Sequence, residues 1–357
     1  MRKGEGGLGG GAAGDEGIRF ERHGRLGVVT LDRPKALNAL TLGMVRALDP
    51  MLAQWAHDHS VDAVAIRGAG EKAFCAGGDV RAVYEAGRRG TDVLTYEFFF
   101  EEYRLNRRIH RYAKPYVALI DGIAMGGGLG LSVHGRYRVV TERASAAMPE
   151  TAIGLFPDVG GSWFLDRAPG RIGTYLALTG ARIRAADMIH AGLATHFVPS
   201  ADLPALYDAL AHASPEAALH RFAADPGPAP LATQRAAIDR VFGRATVEEI
   251  LGALDREGEW GASIAADLGK RSPTSLRATL RLLQRHHRHE VEDCLRGEFR
   301  LVQRFMAGHD FYEGIRAVLV DKDHAPRWKP ARLADVAAAD IDAMFAPLED
   351  GELRFDD

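Results

Sequence analysis

Short apolar runs alternate with stretches of helical spacing through the first 200 residues of the chain. Residues 27–31, 63–66 and 116–120 are β-rich runs bounded by proline, glycine or charged residues, a pattern typical of buried strands. Between the first two runs, four apolar residues recur at the spacing of one helix face: Val45, Leu48, Leu52 and Trp55. Because short strands alternate with helices, the pattern predicts an α/β fold.

The pattern changes after about residue 210, where helical spacing takes over. Residues 225–230 read DPGPAP, which is the composition of a linker. Ser272 followed by Pro273 is a favourable pair for the start of a helix. Apolar residues then recur at helical spacing along two segments: Leu276, Leu280 and Leu283 in the first, and Val291, Leu295, Phe299, Val302 and Met306 in the second.

These changes divide the chain into three predicted parts. Residues 1–17, of which eight are glycine, form a flexible tail without the apolar segment of a signal peptide and without the character of a transit peptide. Residues 18–215 form the α/β core. Residues 216–357 form a helical region that packs on this core.

Composition narrows the class of protein. The 357 residues are 46% hydrophobic and carry a net charge of −3, so the chain is globular and lacks the basic excess of a nucleic-acid-binding protein. No apolar run approaches the roughly 18 residues that a membrane span needs. The two cysteines lie far apart and predict no disulfide framework, and together with the tail they predict a cytoplasmic protein.

Two glycine-bearing loops are the strongest candidates for chemistry. Residues 73–80 follow one predicted strand, and residues 122–130, with three consecutive glycines, follow another. Missing side chains let a ligand touch the main chain, and N–H groups at a helix start favour an anion or a developing oxyanion. Two such loops are what an oxyanion hole requires. One alternative is that these loops only allow tight packing between a strand and a helix. Another is a phosphate-binding loop, but the Lys-Ser/Thr that ends such a motif is missing.

Three other patterns are weaker candidates. Ser132 lies in a near match to a nucleophile-elbow motif, but within an apolar helical run, and Cys75 is expected to pack as a small buried side chain. His286, His287 and His289 lie among arginines without metal-ligand spacing. We therefore predict no metal site and a solvated helix face at these histidines.

A set of motifs in one order along the chain is more specific than any single loop. The motifs are RPKALNAL at 33–40, FCAGGD at 74–79, GIAMGGGLG at 122–130, MPETAIGLFPDVGG at 148–161 and DFYEGIR at 310–316. This set resembles the crotonase (enoyl-CoA hydratase/isomerase) superfamily, and within it the branch of the 3-hydroxyisobutyryl-CoA hydrolases. The resemblance implies a crotonase-like spiral of ββα units, followed by a helical C-terminal region.

The resemblance also implies an acyl-CoA ligand and roles for particular residues. Gly78 and Gly127 would donate two main-chain N–H groups to the thioester oxygen. The residues implied to contact coenzyme A are Lys35, Ala36, Leu37 and Ala76 at the adenine end, with Arg33 and Lys35 as phosphate partners. Coenzyme A is part of the substrate, so no separate cofactor is implied.

Carboxylates distinguish two branches of the superfamily. Hydratases use two glutamates, and one of these positions is Gly130 here, so only Glu150 of the pair remains. The hydrolase branch resembles this chain in having Glu102 and Asp158. Glu150 would attack the thioester carbon or activate a water, and Asp158 would orient Glu150 or bind a 3-hydroxyl, with Glu102 as a wall of the acyl pocket. Without the resemblance, Glu102 would be expected at a solvated helix edge, Asp158 in a turn or at a helix N-cap, and Glu150 at the start of a helix.

The resemblance therefore implies hydrolysis of a 3-hydroxyacyl-CoA, and specifically of 3-hydroxyisobutyryl-CoA as in valine catabolism. An enoyl-CoA hydratase or isomerase of the same fold is the first alternative, and a non-enzymatic CoA-binding module is the second. The oligomeric state stays open, with a homo-oligomer as one alternative, because the longer C-terminal segment here would cover the surface through which relatives associate. No nucleic-acid or membrane partner is expected.

Overall fold

The structure is a computed structural model that describes residues 17–90 and 92–355. Apart from Gly17, the predicted flexible tail lies outside the described residues. The strands are β1 (Ile18–His23), β2 (Leu26–Leu31), β3 (Ala63–Gly68), β4 (Ala73–Cys75), β5 (Tyr116–Ile120), β6 (Ile123–Met125), β7 (Tyr137–Val140), β8 (Ser145–Ala147), β9 (Ile183–Arg184) and β10 (His196–Phe197).

The first eight helices lie among and directly after these strands. They are α1 (Leu42–His57), α2 (Val80–Arg88), α3 (Asp92–His110), α4 (Gly127–Gly130), α5 (Gly161–Asp166), α6 (Ile172–Thr179), α7 (Ala185–His190) and α8 (Leu203–Leu210). The later helices are α9 (Pro215–Phe222), α10 (Pro230–Phe242), α11 (Val247–Leu254), α12 (Gly258–Leu268), α13 (Pro273–Arg285), α14 (Val291–Met306), α15 (Asp310–Ile315) and α16 (Ala338–Ala343).

The strands form two sheets that the chain visits in turn. The first sheet has the order β1-β2-β3-β5-β7-β10, and its pairs are parallel except β1 with β2. The second sheet has the order β4-β6-β8-β9, and only β8 with β9 is antiparallel. From β3 to β8, each strand of the first sheet is followed by one of the second. This repeated turn is the spiral of ββα units that the resemblance implied.

The predicted strands and helical stripes are confirmed. β2 is buried along its whole length, because its alternate side chains enter two different hydrophobic clusters on the two faces of the first sheet. α1 begins after Thr41, whose side chain accepts a hydrogen bond from the Met44 N–H at 3.2 Å. Ser272 caps α13 in the same way, as its position before Pro273 predicted.

The helices after residue 215 share the main hydrophobic cluster with the sheets. That cluster extends from Ile18 to Leu353. Phe299 of α14 contacts rings of α3 edge-on, with centroid distances of 5.4 Å to Tyr96 and 6.2 Å to Tyr103. The helical region therefore packs on the α/β core, while its predicted boundary at residue 216 stays a prediction. In the described part of the chain, no helix is long and apolar enough to cross a membrane.

Candidate active site

Two loops meet at the carboxyl ends of neighbouring strands. β4 and β6 are parallel neighbours, with Cys75 opposite Ala124, so the loops that follow them start side by side. A Cβ placed on Gly127 would lie 3.2 Å from the Gly78 nitrogen. Within residues 17–90 and 92–355, neither the Gly78 N–H nor the Gly127 N–H donates a hydrogen bond. Two unused main-chain donors therefore lie next to each other.

The three consecutive glycines each allow a different close approach. Gly126 has a φ of +47°, and a Cβ there would lie 2.8 Å from Glu150 Oε1. A Cβ on Gly127 would lie 2.5 Å from Glu102 Oε1, and a Cβ on Gly128 would overlap the end of β4. Because no side chain is present at these positions, two carboxylates and a strand reach the same stretch of backbone.

Three carboxylates line the cavity next to these amides, which measures about 90 Å³. Glu102 comes from α3, Glu150 from a 3₁₀ turn after β8, and Asp158 from the loop before α5. Each is at most 6% exposed. Oε1 of Glu102 and Oε2 of Glu150 have no hydrogen-bond partner among the described residues, so both are available to a ligand.

Burial and mutual repulsion raise the pKa values of these carboxylates. Burial raises the pKa of Glu102 and that of Glu150 well above the usual range, and the charge of Asp158 adds to the effect. Burial also raises the pKa of Asp158, to about 6, while the Tyr103 hydroxyl opposes the rise. Charge on one of these carboxylates therefore disfavours charge on the other two.

Tyr103 is a site residue that the sequence analysis missed. Its side chain is fully buried, and its hydroxyl donates a 2.8 Å hydrogen bond to Asp158 Oδ2. The sequence feature that could have indicated Tyr103 is its position directly after Glu102. A helix that directs Glu102 into a cavity also buries adjacent residues, and a buried tyrosine hydroxyl needs a polar partner.

The space beside Gly130, the position that the resemblance assigns to a hydratase glutamate, is occupied by other side chains. A Cβ on Gly130 would lie 2.8 Å from Val159 Cβ and 2.9 Å from Asn106 Nδ2, so a longer side chain has no room. Asn106 is fully buried, and its amide has no hydrogen-bond partner in the described part of the chain. Asn106 was not predicted from the sequence either, although its spacing of four residues from Glu102 places both on one face of α3.

Comparisons with known proteins identify the family of the chain. The sequence matches the family described as enoyl-CoA hydratase/isomerase over residues 26–345. The chain belongs to this family. Curated relatives named "3-hydroxyisobutyryl-CoA hydrolase, mitochondrial" include one from Danio rerio, 48% identical over 96% of this chain and 92% of its own length. The relative of that name from Homo sapiens is 46% identical over 95% of this chain and 91% of its own length.

Solved structures of the family confirm the crotonase-like fold. One, described as a carnitinyl-CoA dehydratase from Mycobacterium thermoresistibile, has a TM-score of 0.92 at 44% identity and covers 96% of this chain and 99% of its own. Another, described as an enoyl-CoA hydratase from Rhodobacter sphaeroides, has a TM-score of 0.90 at 40% identity and covers 95% and 100%.

The expectation of a cytoplasmic location is wrong. Curated relatives of the family that match nearly the whole chain are mitochondrial by name. The expectation rested on cysteine usage, which reports on redox conditions and carries no information about which reducing compartment holds a protein. It rested also on the glycine-rich tail, whose residues 1–16 lie outside the described part of the chain.

The segment that the family resemblance assigns to coenzyme A lies beside this cavity. Lys35 and Ala36 are exposed in a short 3₁₀ turn, and the Leu37 carbonyl accepts a 3.0 Å hydrogen bond from the Ala76 N–H. Ala76 in turn lines the cavity. The structure thus brings these four residues to the same edge of the site, and their contacts with coenzyme A stay a prediction.

Arg33, the other residue assigned to the phosphates, already has partners. Its Nη2 lies 3.0 Å from Asp79 Oδ2, and its Nη1 donates to the Ala39 carbonyl at 2.6 Å. Asp79 caps the start of α2, so Arg33 ties the segment around residue 35 to that helix. A phosphate contact by Arg33 stays a prediction, and it would have to be shared with this ion pair.

The structure contradicts the prediction that His286 is solvated, and it shows the surroundings of the two weaker candidates, Ser132 and Cys75. His286 is 6% exposed rather than solvated, because α13 ends at Arg285 and the next residue turns inward. Ser132 is fully buried and its hydroxyl donates to a carbonyl of α4.

Burial raises the pKa of the Cys75 thiol to about 12, so this thiol stays protonated. Within the described residues, no group of three His, Cys, Asp or Glu is arranged to hold a metal ion.

A larger cavity of about 380 Å³ lies beside the first sheet and contains none of the predicted catalytic residues. Its charged side chains already have partners, since Arg143 pairs with Asp121 and Arg67 pairs with Glu21. We therefore assign the chemistry to the smaller cavity, where unused amides and unpartnered carboxylate oxygens converge.

Proposed function

We propose that the chain hydrolyses the thioester of 3-hydroxyisobutyryl-CoA to 3-hydroxyisobutyrate and coenzyme A, the reaction that the resemblance assigns to valine catabolism. One observation carries the proposal: Glu150 lies against the glycine run that offers the unused Gly127 N–H, with the Gly78 N–H beside it. Relatives named for this hydrolase, 46–48% identical over nearly the whole chain, support the choice of substrate.

The two amides and Glu150 account for the bond changes. The thioester oxygen accepts hydrogen bonds from Gly78 and Gly127, which stabilise the negative charge of the tetrahedral intermediate. In its ionised form, Glu150 either attacks the carbonyl carbon, forming an anhydride that water opens, or removes a proton from an attacking water. In both routes the C–S bond breaks and coenzyme A leaves as a thiolate, which needs no strong acid because it is a good leaving group.

Asp158 and Glu102 complete the acyl pocket. The Tyr103 hydroxyl supports the ionised form of Asp158, so this carboxylate accepts a hydrogen bond from the substrate's 3-hydroxyl or orients Glu150. Burial favours the neutral form of Glu102, which then donates a hydrogen bond into the pocket. The small volume of the cavity, about 90 Å³, favours a short acyl chain.

Hydration of an enoyl-CoA is the second candidate, because two similar solved structures carry names of that chemistry. General acid-base hydration needs two ionisable groups around one water. The crowding of Gly130 by Val159 and Asn106 leaves no room for the second glutamate of the hydratases. This steric fact favours hydrolysis over hydration.

A thiol-release assay tests the proposal directly. The purified chain is incubated with 3-hydroxyisobutyryl-CoA and with a series of acyl-CoA esters of increasing length, and free thiol is titrated over time. We expect release to be fastest with the branched 3-hydroxy ester and to fall with longer chains. Hydration of crotonyl-CoA without thiol release would contradict the proposal and favour the hydratase alternative.

The non-enzymatic alternative needs its own measurement. A thermal-shift titration with coenzyme A and with a non-hydrolysable thioether analogue reports binding without turnover. Binding of the analogue together with thiol release supports the enzyme. Binding without any turnover of the ester panel or of crotonyl-CoA would support a binding module instead.

A further inference from the structure

We propose that Glu298, acting with His134, fixes the peptide bond between Val159 and Gly160 and thereby positions the Asp158 carboxylate in the active site. Glu298 is then a positioning residue contributed by the C-terminal helix α14. The inference rests on the proposed function for its kinetic consequence, but its geometric content is independent of the substrate.

The backbone next to Asp158 has an unfavourable conformation that other groups must maintain. Val159 has a φ of +53°, which is the left-handed region. A β-branched residue is rarely found there, because its Cβ crowds the following carbonyl. Such strained residues persist where the surrounding structure holds them, and they are frequent at functional sites.

Two buried side chains hold the peptide that follows Val159, one on each side. The Val159 carbonyl accepts a 2.8 Å hydrogen bond from His134 Nε2. The Gly160 N–H, at the other side of the same peptide, donates a 2.7 Å hydrogen bond to Glu298 Oε2. Since a carbonyl can only accept, His134 must carry its proton on Nε2. The orientation of this peptide is thus fixed at both of its polar groups.

Glu298 is itself held by further donors. Its Oε1 accepts from the Ser162 N–H at 2.9 Å and from the Ser162 hydroxyl at 2.6 Å. The Ser162 oxygen lies 2.8 Å from His286 Nδ1, which carries the proton when Ser162 donates to Glu298. All of these side chains are at most 6% exposed. Glu298 is therefore a rigid acceptor rather than a mobile surface group.

Asp158 lies one residue before the fixed peptide, so the position of its side chain depends on how that peptide is held. Its carboxylate is held on one side by the Tyr103 hydroxyl, and its carbonyl accepts a 2.7 Å hydrogen bond from the Gly161 N–H. If the peptide after Val159 rotates, the Asp158 side chain moves relative to Tyr103 and Glu150. Small displacements of groups that act on the reacting atoms reduce kcat strongly.

A purely structural role for Glu298 is the competing explanation, since its carboxylate also satisfies N–H groups at the start of α5. A structural role would lower stability and the yield of folded protein. It would not change kcat for the molecules that remain folded. Kinetics on folded protein, with kcat and KM determined separately, distinguish the two.

The test compares two substitutions of Glu298 with a matched one at the start of the same helix. Glu298→Gln keeps the shape and one acceptor oxygen, whereas Glu298→Met removes both acceptors. Glu290→Gln makes the same chemical change at the exposed residue that precedes α14, whose side chain forms no cap hydrogen bond. We expect kcat to fall about 10-fold in Glu298→Gln and about 100-fold in Glu298→Met, with KM within about threefold of wild type. Glu290→Gln should keep the wild-type kcat.

Crystal structures of the wild-type protein and of Glu298→Gln give a readout that does not depend on the substrate. We expect Val159 to leave the left-handed region, or the Tyr103–Asp158 hydrogen bond to break, in the variant. Unchanged geometry together with a kcat within twofold of wild type in folded Glu298→Gln would overturn the inference. If Glu298→Met does not fold, Glu298→Gln alone decides. Should the wild type release no thiol from any ester, the proposed function fails, and the crystal structures still decide the role of Glu298.

Discussion

The two walls of the active-site cavity are built in opposite ways. One wall is main chain: the Gly78 and Gly127 N–H groups, in loops that follow neighbouring parallel strands. The other wall is made of carboxylates from three separate elements, held in place by Tyr103 and, as we propose, by Glu298. The main-chain wall has no group that titrates, and it works only where side chains are missing. The carboxylate wall depends on charge, burial and distant packing.

This difference predicts how substitutions in each wall reduce activity. A substitution in the main-chain wall acts by steric overlap, because it adds and removes no titratable group. A substitution in the carboxylate wall acts by changing which groups carry charge in a buried cavity, where an unpaired charge is strongly disfavoured. Each wall can therefore be tested in its own terms.

The largest effect is expected for Glu150→Gln. The amide has nearly the shape of the carboxylate but cannot attack a thioester or take a proton from water, so we expect kcat to fall at least about 1,000-fold with little change in thermal stability. Thiol release and circular dichroism measure the two quantities. The matched control is Glu101→Gln, which alters a half-buried glutamate that pairs with Arg46 outside the cavity. Activity of Glu150→Gln within tenfold of wild type would remove Glu150 from the mechanism.

A smaller but still large effect is expected for Gly127→Ala in the main-chain wall. The added methyl group would lie 2.5 Å from Glu102 Oε1 and 3.2 Å from the Gly78 nitrogen, so it displaces Glu102 and crowds the Gly78 donor. Alanine keeps its own N–H, but blocking access to one oxyanion donor is expected to cost about as much as losing it, about 3 kcal/mol, so we expect kcat to fall about 100-fold.

The control for this substitution is Gly252→Ala in α11, where an added Cβ meets nothing within 4 Å. Alanine favours a helix interior over glycine, so this variant should keep its activity and gain slightly in stability. A Gly127→Ala enzyme with wild-type kcat would show that the main-chain wall does not contact the reacting carbonyl.

The two walls also differ in how far the sequence predicts them. The glycine loops are contiguous motifs that follow recognisable strands, so the sequence pattern marks both loops, and the family resemblance points to Gly78 and Gly127 within them. The strand at 116–120 and the helical stripe from Val291 to Met306 likewise have the same bounds in the sequence pattern and in the fold. Local pattern is enough for these features because the physical cause is local.

The supports of the carboxylate wall depend on contacts between distant parts of the chain. Helical periodicity shows that Glu298 lies near an apolar stripe, but not that its carboxylate meets the Gly160 N–H, 138 residues earlier in the sequence. His286 was expected in solvent because its neighbours are arginines, yet it meets Ser162, 124 residues away. Such pairings depend on how the helices pack on the core, and the residue pattern of a single sequence does not reveal that packing.

The last effect concerns stability rather than rate, and it isolates the buried charge behind the carboxylate wall. Burial raises the pKa of Glu298 to about 8. A carboxyl group whose pKa is higher in the folded than in the unfolded chain binds its proton more tightly when folded. The free energy of unfolding therefore decreases as the pH rises from about 4.5 to about 8, by up to about 1.4 kcal/mol per pH unit for one group.

Glu298→Gln should remove this dependence, because glutamine does not titrate. We expect the difference in midpoint of urea unfolding between wild type and variant to shift in favour of the variant as the pH rises from 5 to 8 at constant salt. Glu102 and Glu150 titrate in both proteins, so their contributions cancel in the difference between the two. Glu290→Gln, at the exposed position before the same helix, should run parallel to wild type over this range. Parallel curves for Glu298→Gln would mean that Glu298 is already ionised at pH 5, and that the donors around it outweigh its burial.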